Sequence, residues 1–255
     1  MSDPNTTRRR LLCAAPGLAC LGLLAPARAL AETAADAPWM KHIANFRGMD
    51  KPFGFSMKVI WKKGDNIEEN SADVYFHSHQ QVLVLFRSPA SVVGRRILID
   101  GEAMWLGLPS SQRVLRILPS QRLLGEASNG DIVNTDFSKY RLALKNWADY
   151  QGKKTIHLRL EAIAPDMAYQ RIDYYVDPAN HRPSASEHYA ASGKLLKTIK
   201  YVEFQRTGNG EKLRTLQIVN NLLADQVTEM IFERYAPQNI PIGSYLKANL
   251  LNLNI

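Results

Sequence analysis

The sequence predicts a mainly β fold (α+β): a large, curved antiparallel sheet that a few helices partly plug. Three observations carry this expectation. Beyond residue 52, apolar and polar residues alternate over most of the chain, the period of strands with one buried face. Turn chemistry separates these runs at hairpin spacing, at Lys63-Gly64-Asp65, Asp100-Gly101, Tyr150-Gln151-Gly152, Asp177-Pro178, Ser192-Gly193 and Gly208-Asn209-Gly210. No region alternates strands with long helices, which excludes a doubly wound parallel sheet. A meander of about a dozen strands must curl or close to protect its edges. The helices are too few to cover its whole apolar side. Pattern alone leaves open whether side chains fill the interior or leave room for an acyl chain.

Residues 34–47 predict a helix, with Trp39, Ile43 and Phe46 at helical spacing. The period then drops to two. Phe53, Phe55, Met57, Val59 and Trp61 share one face of a strand, opposite Gly54, Ser56, Lys58, Ile60 and Lys62. Strands follow at 71–77 and 81–87. Three apolar runs, VLVLF, RRILI and AMWLGL, are separated by Ser88-Pro89 and Asp100-Gly101, and a further strand at 113–118 is closed by Pro119. Residues 128–137 read as a short helix or an irregular crossing. The remaining strands are expected at 140–147, 155–162, 171–176, 185–190, 195–204, 213–219 and 227–235. The 155–162 strand is one-sided, with Ile156, Leu158 and Leu160 facing one way.

Ahead of this domain, residues 1–31 have the form of a secretory signal. Arg8-Arg9-Arg10 opens it, an apolar Leu/Ala run follows, and Ala29-Leu30-Ala31 supplies the cleavage pattern, with cleavage expected after Ala31. Thr7 to Leu12 also fits the outline of a twin-arginine signal, which leaves the export route open. One domain over residues 32–255, located in the periplasm, is the expectation. Both cysteines, Cys13 and Cys20, fall within the signal, so no disulfide would brace the exported chain. The whole chain carries 32 basic and 24 acidic side chains; the first 31 residues hold four arginines and one aspartate, leaving 28 and 23, a net of +5. That suits anionic head groups or an acidic partner as well as ordinary solvated charge. No basic cluster interleaved with aromatics points to nucleic acid.

Motifs for covalent chemistry are missing. There is no phosphate loop, nucleophile elbow or zinc helix, and thiol catalysis has no mature cysteine to use. His77-x-His79 places two imidazoles on one side of a strand without a third ligand nearby, the usual pattern of surface histidines. Asp131 and Asp136 suit turn or capping roles. No catalytic residue, metal or cofactor is expected. A Ser/His/Asp set assembled only in space stays open. The four tryptophans, Trp39, Trp61, Trp105 and Trp147, lie in or beside the apolar runs.

The order of several residues resembles the outer-membrane lipoprotein-sorting, LolA-like family. The first block is Phe86-x-Ser88-Pro89, Gly94, Trp105, Leu108-Pro109 and Arg113-x-x-Arg116-Ile117. The second is Tyr175-Val176-Asp177 with Tyr189-x-x-Ser192-Gly193-Lys194-Leu195-Leu196-Lys197, and Asn239-Ile240-Pro241 with Tyr245-Leu246 follows near the end. The likeness spans about residues 53–250. The stretch 124–131 departs from the family's shorter Met-Gly-Ser-Asp segment, which bears on lid geometry and ligand. The resemblance implies an unclosed barrel with helices as a lid over an apolar cavity, and a monomeric periplasmic carrier for lipid or lipoprotein acyl chains, with no catalysis and an inner-membrane transporter of the resistance-nodulation-division type as partner. Its wall would be Phe53, Phe55, Met57, Val59, Trp61, Trp105, Ile156, Leu158 and Leu160, with Arg113 and Arg116 as contacts to a head group or the lid. Two rivals stand beside it. One is an envelope-stress interaction module on the same fold; the other is a lipid hydrolase, testable at His157 or Asp136.

Overall fold

The computed structural model describes residues 34, 37–46, 52–118, 122–124, 127–128, 136–165, 167–223, 226–237 and 240–253. The segment expected to be an export signal, Asp131, Asn239 and most of the 124–131 departure lie outside them. Helix α1 (Pro38–Asn45) is shorter than the 34–47 expected. Pro38 sets its start, because a residue before proline is driven to extended backbone, and Ala37 adopts φ −64°, ψ 129°. Met40 and Ile43 are its buried face.

Among the described residues fifteen strands follow in chain order. They are β1 (Phe53–Lys63), β2 (Asn66–Ser78), β3 (Gln81–Ser88), β4 (Arg96–Asp100), β5 (Ala103–Leu108), β6 (Arg113–Ile117), β7 (Arg122–Leu124), β8 (Ala127–Ser128), β9 (Tyr140–Tyr150), β10 (Lys153–Ala162), β11 (Arg171–Val176), β12 (Pro183–Tyr189), β13 (Leu195–Thr207), β14 (Gly210–Asn220) and β15 (Gln226–Ala236). Thirteen form one antiparallel sheet in the order β6-β5-β4-β3-β2-β1-β15-β14-β13-β12-β11-β10-β9, and β7 pairs with β8 separately. The sheet is unclosed: β6 and β9 are its two edges. The sequence placed the strand cores but began β2 too late. Residues 66–70 are polar, yet their backbone pairs with β1 from Lys63↔Asn66 to Val59↔Asn70, a ladder that needs no apolar side chain.

Cross-strand register separates two faces. On the inner face, Phe55 opposes Val74, Val74 opposes Val84, Val84 opposes Ile97 and Ile97 opposes Leu106. In the other direction Val59 opposes Met230, Met230 opposes Leu216, Ile199 opposes Ser186 and Tyr174 opposes Leu158. The inner face of β1–β5 and β13–β15 forms one buried cluster, and that of β10–β11 packs with α1, Phe137 and Tyr140 in a second. Tyr201 touches both.

The outer face is covered differently on its two halves. Over β3–β6, Leu83, Leu85 and Leu98 are buried beneath the C-terminal strap, residues 240–253, through Tyr245 and Leu250. The strap forms two 3-10 turns, Ile242–Tyr245 and Lys247–Asn249. Arg96 donates to the carbonyls of Leu250 (2.5 Å) and Leu253 (3.2 Å). Opposite Arg96 across the ladder stands Gly107, and a Cβ there would lie 2.8 Å from Leu250 Cγ. Burial, then the nearby Tyr75, pushes the Tyr245 hydroxyl up to about 12. Over β10–β12 the outer face instead holds an ionic network. Asp173, 2% exposed, accepts from Arg159 (2.8 Å), pairs with His157 (2.9 Å) and lies 3.1 Å from Arg171. Such a buried carboxylate persists only because several donors surround it.

Candidate functional site

The inner wall of the open sheet, with α1 laid across part of it, is the feature that can hold another molecule. Strand alternation puts Phe53, Phe55, Met57 and Val59 on it from β1, and Ile156, Leu158 and Leu160 from β10. All seven are buried, Leu158 and Leu160 completely. Phe55 meets Phe232 edge-on at 5.4 Å, and Phe53 and Phe55 stack at 5.7 Å. The structure divides these seven between two clusters joined through Tyr201. Trp61 shares the face at the far end of β1, opposite Thr228, and is only partly covered.

Trp105 does not join this wall. It opposes Leu98 on the outer face and packs beneath the strap, with the Lys247 ammonium 3.8 Å above its ring. The reason is strand parity: Met104 and Leu106 take the inner positions of β5, so Trp105 between them must face out. Arg113 and Arg116 part company for the same reason. Arg116 opposes Trp105 on the outer face, whereas Arg113 opposes Leu108 on the inner side of the edge. Both are exposed on the edge strand.

Helix α1 closes the second cluster from above. Its last carbonyl, Asn45 O, accepts from Lys212 Nζ at 2.7 Å, and Phe46 O accepts from the Leu213 amide at 2.7 Å. A cation at a helix C-terminus also suits the helix dipole. At the side, Trp39 meets His181 edge-on at 4.7 Å, His42 meets His181 at 5.5 Å, and the Lys145 ammonium lies 4.8 Å over Trp39. Burial, then the charge of His181, holds the His42 imidazole below its ordinary value. Between α1, the β2–β3 turn and the 3-10 turn Phe137–Lys139 opens a cleft of about 420 Å³, lined by Met40, Ala44, His79, Asp136 and Phe137 among others.

Sequence reasoning missed a polar group within the wall. Ser186 and His188 from β12 and Lys197 from β13 occupy inner-face positions, opposite Tyr174, Ile172 and His188 respectively. They are 0%, 1% and 7% exposed. Ser186 Oγ lies 3.0 Å from His188 Nε2 and 3.2 Å from the Tyr201 hydroxyl. The Lys197 ammonium sits 4.6 Å over the Tyr169 ring, which meets His188 edge-on at 4.8 Å. The strand PSASEHY reads as polar on both faces, so no local pattern announces this burial.

The residues named for a hydrolase stand apart. His157 is held on the outer face between Asn146 (3.1 Å) and Asp173, while Asp136 caps the 3-10 turn by accepting from the Ser138 amide at 3.0 Å. His77 packs against Tyr245 and His79 against Phe76. Among the described residues no group of three or more His, Cys, Asp or Glu is placed to hold a metal. Also among them, no helix is long and apolar enough to cross a membrane.

An unclosed antiparallel barrel whose inner wall is apolar and capped by a helix defines the LolA-like fold, and this chain has it. Solved structures that share it include the following three. A LolA superfamily protein from Nitrosomonas europaea is 24% identical, covering 86% of this chain and 99% of its own, with a TM-score of 0.74. A Vibrio parahaemolyticus domain named for outer membrane lipoprotein sorting is 19% identical over 84% and 97%, with a TM-score of 0.72. A DUF1329 family protein from Desulfovibrio piger is 16% identical over 86% and 100%, at 0.68. In sequence, the model of a family described only as "Uncharacterized protein"-like matches residues 78–252, and the chain belongs to that family. No curated protein matches it.

Proposed function

We propose that this protein is a periplasmic carrier or binding protein for lipid or for the acyl chains of lipoproteins, working by non-covalent burial. The observation that carries this reading is the apolar inner wall, one cluster on β1, β14 and β15 and a second on β10 and β11 joined to it through Tyr201, the second capped by a short helix held at its C-terminal end. Each methylene moved from water into such a wall contributes about 0.8 kcal/mol. A sixteen-carbon chain would therefore gain roughly 10 kcal/mol before ordering costs. Entry requires α1 to swing from its seat and the chain to displace the side chains that now fill the wall. The cleft beside Met40 and Phe137 is where that opening starts. Wall residues Phe53, Phe55, Met57, Val59, Trp61, Ile156, Leu158 and Leu160 then line the bound chain. Function in the periplasm follows from the signal-like residues 1–31, and a resistance-nodulation-division transporter as donor or acceptor from the resemblance of the Trp105 to Arg116 block.

Native mass spectrometry with lipid extraction, on protein recovered from a bacterial periplasm, tests the reading. A stoichiometric lipid or acylated peptide is expected, and Leu158→Asp should abolish it. Met57→Glu, in the other apolar cluster, serves if that variant does not fold. Protein that stays empty when offered membranes and lipoproteins would overturn the carrier reading.

A further inference from the structure

The cleft beside α1 carries charge of both signs on separate walls. Lys41 lines it from the helix, His79 from the β2–β3 turn and Asp136 from the start of the 3-10 turn. Among the described residues the Lys41 ammonium makes no ion pair or hydrogen bond. Asp136 uses Oδ1 to accept from the Ser138 amide (3.0 Å) and hydroxyl (2.6 Å), while its Oδ2 meets no donor there. The nearest lysine in sequence, Lys139, pairs instead with Glu102 at 3.3 Å. The side-chain amides of Asn45 and Gln80, also on the lining, make no hydrogen bond among the described residues. Below this rim the cleft is apolar and leads inward. Met40 and Phe137 line it and belong to the second buried cluster, with Leu158 and Leu160. A lone anion seated at the rim would face the Asp136 carboxylate, and a lone cation the Lys41 ammonium. A head that carries both charges satisfies both walls.

We infer that this cleft binds the head of a zwitterionic phospholipid, its phosphate held by Lys41 and His79 and its primary ammonium by Asp136, while its tail enters the second cluster past Met40 and Phe137. This rests on the carrier reading and names the head of the cargo. A primary ammonium fits better than a quaternary one, because the open carboxylate oxygen accepts an N–H that a quaternary group lacks. Lys41 is exposed, so water and salt screen its contacts and the expected preference is modest.

Calorimetric titration of the purified, delipidated protein tests it, with lysophosphatidylethanolamine, lysophosphatidylglycerol and monoacylglycerol of one chain length, each below its micellar concentration. The first carries phosphate and ammonium, the second phosphate alone, the third neither. Lysophosphatidylethanolamine should bind roughly 3- to 10-fold more tightly than lysophosphatidylglycerol. Asp136→Asn, which keeps an oxygen to cap the 3-10 turn, should bring that ratio close to one. Lys41→Gln should bring the ratio of lysophosphatidylglycerol to monoacylglycerol affinity close to one. Glycerophosphoethanolamine, the same head without a tail, should bind roughly 100-fold more weakly or worse; equal affinity would assign the cleft to a free head and overturn the lipid assignment. Equal affinities for the three tailed ligands overturn the inference while leaving the carrier reading intact. So does a preference that survives Asp136→Asn. Binding of none of them overturns both. If Asp136→Asn does not fold, the comparison of the three tailed ligands on the unaltered protein still decides.

Discussion

Substituting Gly107 by alanine should loosen the C-terminal strap. The added methyl would stand 2.8 Å from Leu250 Cγ and 3.1 Å from Cδ2, well inside contact distance, and Leu250 is fully buried. Leu250 cannot simply swing away, because Arg96 grips its carbonyl and that of Leu253 from the neighbouring strand. Overpacking of this kind costs about 1–3 kcal/mol, which lowers Tm by roughly 2–12 °C for a domain of this size. Circular dichroism melts measure the global loss. Hydrogen exchange at residues 242–250 measures the local one, and the inner-face strands should keep their protection. A double-mutant cycle sharpens the test. Leu250→Ala alone should cost about 2–5 kcal/mol, and with Gly107→Ala the two losses should fall short of their sum by about 1 kcal/mol or more, since the new methyl then fills space left by the leucine. Unchanged stability in Gly107→Ala, or strictly additive losses, would refute the idea that this glycine seats the strap.

Other outcomes follow from the same geometry. Tyr245 has its hydroxyl raised in the folded state, so its contribution is full below pH 10 and is lost as pH rises toward about 12; Tyr245→Phe should flatten that part of an alkaline unfolding titration relative to the parent. His42 is shifted the opposite way. Its contribution is full above the ordinary histidine value of 6.5 and drains as pH falls through the lowered one, so amide protection in α1 should drop on acidification, and His42→Gln should remove the dependence. Lys212→Met takes away the donor to Asn45 O and should raise exchange in α1 while β10 and β11 stay protected; equal exchange in both proteins would show that the helix is held by packing alone. Leu158→Ala should cost about 2–5 kcal/mol by cavity formation, read from denaturant midpoints, and a loss below 1 kcal/mol would mean that the second cluster is loosely packed.

Much of this fold was legible because period-two alternation is a direct record of which side chains meet water. The inner face of β1 and β10 could be read residue by residue for that reason. The central run VLVLF was a subtler record. A strand apolar at every position is buried on both sides, so it implied a second cover over its outer face, which the strap supplies. The residues by which the tail docks, Ile240, Tyr245, Leu250 and Leu253, are spaced too irregularly to show where they sit. Trp105 failed for a related reason: with Met104 and Leu106 beside it, alternation could not choose a face, and the choice came from pairing with Leu98. Burial of Ser186, His188 and Lys197 had no local signal, because β12 is polar on both faces and its inner side is covered by Tyr169 and Tyr201, which lie outside the strand.

The strand order has a consequence for how the molecule assembles. From β1 the chain walks outward, hairpin by hairpin, to the edge at β6; it reappears at the opposite edge, β9, and walks back in to β15. Every neighbouring pair in the large sheet is therefore adjacent in sequence except β1 with β15. Loop-closure entropy concentrates in that single seam. The two meanders can zip locally and independently, and the rate at which the protein becomes native is set by their meeting along Met57↔Phe232 and Val59↔Met230. Substitutions along this line should slow folding, whereas those at the outer hairpins should mainly hasten unfolding.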